Sequence, residues 1–372
     1  MSNSKKSVVR VLKQYDSTYV PPPNGRIAGE NLCFFNSMMA ALHSIPTLNQ
    51  EMIEISETEE KPMSLCQYYV KELKDLLKST RSRTIDNRAL VSVFESSIKA
   101  YDKKHDKLDE DNFDSSDRPP NQFANDIHNR RQSDAAEGLS LFIQILSAQH
   151  KSIGRMFRFR YKTEHRCKRC KKVCILREFY ENVHKVFDLK KPRGQEKDTF
   201  SKYQLFVYNL QVSISDYDDH ICPICNGWKE KAEDDSIDEE DRPQQKQIRS
   251  SGTKTDLVNL VPEVMIIQVN HIWNSISSVK KCPYFPTRFR FVGKGKKNHV
   301  YYKLVAQIEH SGNTMGGHYK ARCLRNGQVY MINDSSVTES KFQNTRDTCL
   351  LIYHHYIPTP EDPYDDSHEM EI

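Results

Sequence analysis

Two Cys-x-x-Cys knuckles, Cys167-Lys168-Arg169-Cys170 and Cys222-Pro223-Ile224-Cys225, constrain this chain most, because they ask two distant stretches to meet around one ion. Paired knuckles suit a closed tetrahedral zinc site, structural because no coordination position stays open for water. Four reduced cysteines in unrelated hairpins is the simpler alternative, and the paired spacing makes it the weaker one. Lys168, Arg169, Lys171 and Lys172 would offset the excess negative charge of four thiolates around a divalent ion. Cys174 can replace a ligand, and His165 or His220 can stand in. The expectation is one structural zinc ion on Cys167, Cys170, Cys222 and Cys225.

Cys33 reads differently. In Gly29-Glu30-Asn31-Leu32-Cys33-Phe34-Phe35-Asn36-Ser37 it stands at the first turn of an apolar helix. Phe35, Met38, Met39, Leu42 and Ile45 follow at helical spacing, and Pro46 closes the run. The dipole and free N–H groups of a helix start favour the thiolate, so the thiol pKa is expected to fall toward neutrality. Taken alone, such a cysteine is more often a buried structural residue. Candidate partners far downstream change the balance. Cysteine catalysis needs a base for the thiol and an orienter for the base, distant in sequence and close in space.

Those partners lie in His310 to Tyr319 and Ile332 to Val337. Arg322 to Ile332 reads as two strands joined by Asn326-Gly327, a favoured two-residue hairpin turn. With Arg325 facing Gln328, Lys320 faces Asn333 and His318 faces Ser335. His318 and Asn333 then share one sheet face as diagonal neighbours, and Asp334 points to the other. The register therefore favours Asn333 over Asp334 as orienter of His318.

These residues resemble the ubiquitin-specific proteases, papain-like cysteine deubiquitinases. Asn31 to Ser37 is similar to the family's cysteine box. Tyr302 to Ala306, Gly317-His318-Tyr319 and Asn333 to Val337 resemble its histidine box. Gln132 to Leu139 resembles the Gln-Gln-Asp-Ala-x-Glu-Phe-Leu motif, and Leu260 to Asn270 a Leu-Pro-x-x-Leu strand. Cys349 to Tyr353 stands where the family has its closing strand. The order is the family's throughout, from about residue 24 to 357.

The resemblance implies a papain-like α+β fold with a helical thumb, a β-rich palm and zinc-ribbon fingers. It implies catalytic Cys33, His318 and Asn333, and a substrate tail met by Gln132, Asp134, Gly316 and Gly317. Gly316-Gly317 suits a narrow channel but is, as bare sequence, a flexible loop; Asp134 and Glu137 alone read as a helix's first turn. The activity implied is thiol-dependent hydrolysis of the bond after the C-terminal glycine of ubiquitin, with ubiquitin and ubiquitylated proteins as partners. A catalytically weak ubiquitin-binding scaffold and a protease for another ubiquitin-like modifier such as SUMO are the alternatives. Departures are present. Ala28 stands where the family has an asparagine that helps hold the oxyanion, and loss of such a donor costs roughly 10²–10³ in rate. Asn31 or Asn24 would substitute only with a different loop. Leu32 replaces a threonine and Gly138 a core phenylalanine.

Helical patterns come first, after Cys33, near Ser64 to Leu77, Ala89 to Lys99 and Ser133 to Ser147. Strand patterns follow at Met156 to Tyr161, Val173 to Tyr180, Val183 to Leu189, Val264 to Val269 and Val300 to Ala306, with the closing hairpin. That order independently suggests α+β. Expected divisions are a flexible arm over 1–23, a catalytic domain over 24–357 and a disordered tail over 358–372. Within the domain, the thumb covers about 24–150, the fingers about 155–275 with an acidic loop at 229–251, and the palm about 276–357. Hydrophobic content of 37% fits long solvated loops, at 101–122 and 229–251. With 55 Lys and Arg against 50 Asp and Glu, charge gives little reason to expect nucleic acid. Ten cysteines, four in metal-like pairs, do not resemble a disulfide framework, and no apolar run reaches transmembrane length. An intracellular protein, in cytoplasm or nucleus, with no membrane partner is expected.

Overall fold

The computed structural model describes residues 17–27, 31–59, 64–78, 84–105, 120–129, 131, 133–186, 201–222, 224–226, 248–269, 284–292, 299–313 and 316–360. Its helices are α1 (Cys33–Leu42), α2 (Pro46–Thr58), α3 (Leu65–Leu77), α4 (Arg88–His105), α5 (Pro120–His128), α6 (Ala135–Gln149), α7 (Lys151–Phe157) and α8 (Lys202–Gln211). The first strands are β1 (Gly25–Arg26), β2 (Thr84–Ile85), β3 (Phe159–Cys167), β4 (Val173–Glu181), β5 (His184–Val186), β6 (Val212–Ile221) and β7 (Arg249–Leu260). The remainder are β8 (Val264–Val269), β9 (Arg288–Val292), β10 (His299–Asn313), β11 (Gly316–Arg325), β12 (Gln328–Asn333), β13 (Ser336–Ser340) and β14 (Thr348–Tyr356). Two compact units result, one spanning 1–158, 182–207 and 262–372, the other 159–181 and 208–261.

In the first unit α1 is buried along its whole length, and it packs on β11 and α6. A helix apolar on every side belongs inside a core. Amphipathic α3 instead buries Leu65, Tyr69, Val70, Leu73 and Leu76, and its Ser64 N-cap accepts the Gln67 N–H. Between the helices Phe34 meets Phe123 edge-on at 5.9 Å, and Phe94 lies 5.4 Å from Phe142. The sheet runs β13-β12-β11-β10-β14-β8-β5, with β9 also on β10. Its pairs are antiparallel except β5 with β8. Asn326 and Gly327 take φ of 49° and 81°, the left-handed pair that a tight hairpin needs, and Arg325 faces Gln328.

The second unit is one antiparallel sheet in the order β4-β3-β7-β6. Along β3 the alternation of strand faces buries Phe159, Tyr161, Thr163, His165 and Cys167. Tyr161 stacks on Phe179 at 4.9 Å.

Several expectations are corrected. Pro46 opens a second helix at its first turn, where a missing N–H costs nothing, and α1 has already ended at Leu42. Met156 is buried within α7, so the strand expected from there begins at Phe159. Residues 249–251, assigned to an acidic loop, form the start of β7. Packing starts before residue 24: Val20 is buried, and the Tyr19 carbonyl accepts the Asn49 amide at 2.7 Å.

Gly138, standing where the family has a phenylalanine, is answered by the aromatics around it. A Cβ there would lie 3.0 Å from Phe123 Cζ and 3.7 Å from Phe34 Cε2. The volume is already filled. Gly138→Phe is therefore expected to lower stability by about 1–3 kcal/mol, read by urea denaturation, as overpacking does. Unchanged stability would show that the surrounding aromatics have room to spare.

Candidate active site and metal centre

Two ties lay α1 along β11. At one end the Tyr319 N–H points at the Cys33 sulfur. At the other, Arg325 donates to the Ala40 carbonyl at 2.7 Å and to Ser44 Oγ at 2.5 Å. An arginine on the last carbonyls of a helix satisfies acceptors that the helix leaves open. The start of α1 is thereby set beside the stretch of β11 that carries His318.

His318 Nε2 lies 2.5 Å from Asn333 Oδ1. An amide oxygen only accepts, so Nε2 carries the proton and Nδ1 is the basic nitrogen of the neutral ring. The hairpin register makes this pair, with Ala321 facing Ile332. Asp334 departs from the expectation of an opposite face. Its φ of 48° turns it out of the strand, and its Oδ2 stands 4.0 Å from His318 Nε2 while Oδ1 accepts Asn36 Nδ2 at 2.6 Å.

The Cys33 thiol also departs from expectation. Burial pushes its pKa up, and the Asp334 carboxylate adds to the rise. The N–H groups of Tyr319, Phe34 and Cys33 itself pull the other way without prevailing. Desolvation outweighs the helix start. A protonated thiol at rest needs a base, and the arrangement of His318 supplies a nitrogen suited to that task.

Asp134 caps α6, its Oδ1 accepting the N–H groups of Ala136 at 2.6 Å and Glu137 at 3.2 Å. It is exposed, and its charge reaches the Tyr319 phenol, which takes the Ala135 N–H. Gly316 and Gly317 open β11 and are no loop. A Cβ on Gly317 would fall 2.3 Å from His310 Nε2 and 2.5 Å from the Ser311 carbonyl oxygen, so packing alone explains that glycine. Gln132 and Ala28 lie outside the described residues. Asn24 is buried; with its amide oriented to satisfy both ends it donates to the Pro22 carbonyl and accepts from Arg26 Nη1, each at 3.2 Å. Both ends of its amide are thus engaged.

In the second unit Cys167, Cys170, Cys222 and Cys225 bring four sulfurs within 4.8 Å of one another, a group that can hold a metal ion. The Cys167–Cys225 and Cys170–Cys222 separations are 3.7 and 3.9 Å. A regular tetrahedron of zinc–sulfur bonds has edges of about 3.8 Å, so the donor set fits. Burial opposes ionisation of Cys167, but the Ser250 hydroxyl, 3.2 Å away, and the N–H groups of Cys170 and Arg169 bring its pKa down to about 6. Desolvation and the neighbouring sulfurs push Cys225 up to about 12. A cation among them would remove that conflict.

Lys171, at φ 61°, closes the first knuckle and gives its N–H to the Cys167 carbonyl at 3.0 Å. Asn226 closes the second. Its side chain donates to the Cys222 carbonyl at 2.8 Å and the Ile248 carbonyl at 3.0 Å, and it accepts the Ile248 N–H at 2.8 Å. Cys174 is not among the four; its sulfur donates to the His165 carbonyl. No sequence pattern marks Ser250, and Asn226 is marked only by directly following Cys225.

Comparison with known proteins agrees with this architecture. The family model described as ubiquitin carboxyl-terminal hydrolase matches residues 24–353. The chain belongs to that family, and the ubiquitin-specific protease resemblance of its motifs holds. Ubiquitin carboxyl-terminal hydrolase 2 of Rattus norvegicus is 35% identical over 106 residues, 26% of this chain and 17% of the relative. That of Gallus gallus is 30% identical over 115 residues, 28% of this chain and 32% of the relative. The matches thus span a third or less of these relatives' length. Among solved structures, the SAGA Ubp8/Sgf11/Sus1/Sgf73 DUB module bound to ubiquitin aldehyde superposes with a TM-score of 0.60 at 14% identity, covering 92% of this chain and 71% of that one. A mutant form of the module bound to monoubiquitin gives 0.58, also at 14%, over 94% and 73%. Among the described residues, no helix is long and apolar enough to cross a membrane.

Proposed function

We propose that this chain is a thiol-dependent deubiquitinase that hydrolyses the isopeptide or peptide bond after the C-terminal glycine of ubiquitin. The observation that carries the reading is the convergence of Cys33, at the start of α1, on the β11 stretch where His318 is bonded to Asn333. Family membership, and structural neighbours solved with ubiquitin or ubiquitin aldehyde bound, support the choice of substrate.

The Cys33 sulfur attacks the carbonyl carbon of the last glycine while His318 Nδ1 takes the thiol proton. His318 then gives that proton to the leaving amine as the carbon–nitrogen bond breaks. Water, its proton taken by the same nitrogen, cleaves the thioester and restores the thiol. Asn333 keeps Nε2–H engaged and so holds Nδ1 toward the sulfur. The N–H groups of Tyr319, Phe34 and Cys33 steady the thiolate as it forms. Asp134 is proposed to face the basic tail of ubiquitin with the carboxylate that also caps α6; Gln132, Gly316 and Gly317 are proposed as further tail contacts. In the second unit the four cysteines would hold one structural zinc ion. The protein is proposed to act inside the cell, in cytoplasm or nucleus.

Ubiquitin and SUMO carrying C-terminal fluorogenic amides test the substrate. Turnover of the ubiquitin amide and none of the SUMO amide is expected. The reverse preference would reassign the modifier, and tight ubiquitin binding without turnover would make the chain a scaffold.

A further inference from the structure

From the start of α1 a line of side-chain bonds leads inward to a residue in none of the motifs. Asn36, one turn after Cys33, gives Nδ2 to Asp334 Oδ1 at 2.6 Å and to the Ile27 carbonyl at 3.3 Å. Its Oδ1 accepts Nδ2 of Asn87 at 2.9 Å. Asn36 and Asn87 are both buried. The polarity of this line is set from its acidic end. An ionised carboxylate only accepts, so Asn36 must turn its NH₂ toward Asp334, which leaves its oxygen for Asn87. Asn87 must then present a donor. A rotated Asn36 amide would set an oxygen against the carboxylate and one NH₂ against another.

Backbone bonds fix both ends. Ile85 and Arg26 are partners in the β1–β2 pair, and the Arg26 N–H goes to the Asp334 carbonyl at 2.7 Å. Asn87 follows β2 closely, and its carbonyl accepts the Val91 N–H at 2.9 Å in the first turn of α4. Asp334 takes φ 48°, the left-handed region that aspartate enters more readily than most residues with a side chain.

We infer that Asn87 is a positioning residue for the cleavage reaction: through Asn36 it holds the Asp334 carboxylate beside the His318 imidazole, and with it the turn that follows Asn333. It touches no reacting atom. The inference rests on the proposed thiol hydrolysis. Without the Asn87 donor, the buried Asn36 oxygen loses the partner it has there and only the Asp334 and Ile27 acceptors still orient the amide, so the acceptor set around His318 is held less firmly.

Asn87→Asp is the sharpest variant. It keeps size and suits a helix start as well as asparagine does, but replaces the donor by an acceptor. Asn87→Ala removes the side chain's polar end, and Asn87→Ser returns a donor. Hydrolysis of a ubiquitin C-terminal fluorogenic amide is measured from pH 5.5 to 9, well below each variant's melting temperature. The kcat of Asn87→Asp is expected to fall by about tenfold or more with KM changed by less than about threefold, and the acidic limb of its kcat profile to move. Asn87→Ser is expected nearest to wild type. A kcat within twofold of wild type in both Asn87→Asp and Asn87→Ala, whatever happens to melting, overturns the inference. If wild type does not turn over ubiquitin, the hydrolysis reading falls by itself. Cys33 alkylation by iodoacetamide at pH 7, quantified on the Cys33 peptide by mass spectrometry, then decides the role of Asn87. A rate about fivefold or more below wild type in Asn87→Asp supports the arrangement, and an equal rate refutes it.

Discussion

Cys33→Ser is expected to lower kcat/KM toward a ubiquitin amide by roughly 10⁴-fold or more while leaving ubiquitin binding intact. Serine keeps the volume at a position only 8% exposed, so the fold should survive the change. What it loses is a nucleophile that one neutral imidazole can deprotonate. His318→Ala should cost about as much, and the double variant hardly more than either, because the two act as a unit. Burial raises the Cys33 pKa, so the free thiol is protonated near neutrality and turnover depends on transfer to His318. A Cys33→Ser protein with residual rate within tenfold of wild type would place the chemistry elsewhere.

Removal of the metal is the second large effect. Elemental analysis should find one zinc per chain, and Cys222→Ser, at a buried member of the cysteine group, should lose it. Apparent zinc affinities in small Cys-rich modules correspond to about 10–16 kcal/mol, and part of that free energy adds to the sheet's own pairing by tying its strand ends together. The second unit is a single four-stranded sheet whose knuckles join the end of β3 to the segments flanking β6 and β7. Amide hydrogen exchange should therefore accelerate in β3, β6 and β7 on chelation, while β10, β11 and β14 keep their protection. A metal-free protein with all of these strands equally protected would show that the cysteines need no ion.

Much of this architecture was legible in the residues because local rules and tertiary demands coincide. Asn326-Gly327 fixes a turn whose register follows without any other knowledge, and that register brings His318 to Asn333. The Ser64 and Asp134 caps mark helix starts for the same reason. Where sequence reasoning failed, a competing effect won. The run from Cys33 to Ile45 looked like one helix ended by Pro46, yet proline at a first turn starts helices as readily as it stops them. The thiol was expected to be acidic from its helix position, but the surrounding core desolvates it, and no local pattern reports that. Strand alternation puts Asp334 on the opposite face, and its own left-handed backbone just past the end of the strand cancels that rule. Asn87 and Ser250 gave no signal at all. Their partners lie far away in sequence, and only the folded chain brings them together.

The most direct measurement is peptide mapping by mass spectrometry after reaction with ubiquitin bearing a C-terminal electrophile. The account predicts one adduct, on Cys33, absent when His318 is alanine. An adduct on any of the other cysteines, or undiminished labelling without His318, would contradict it.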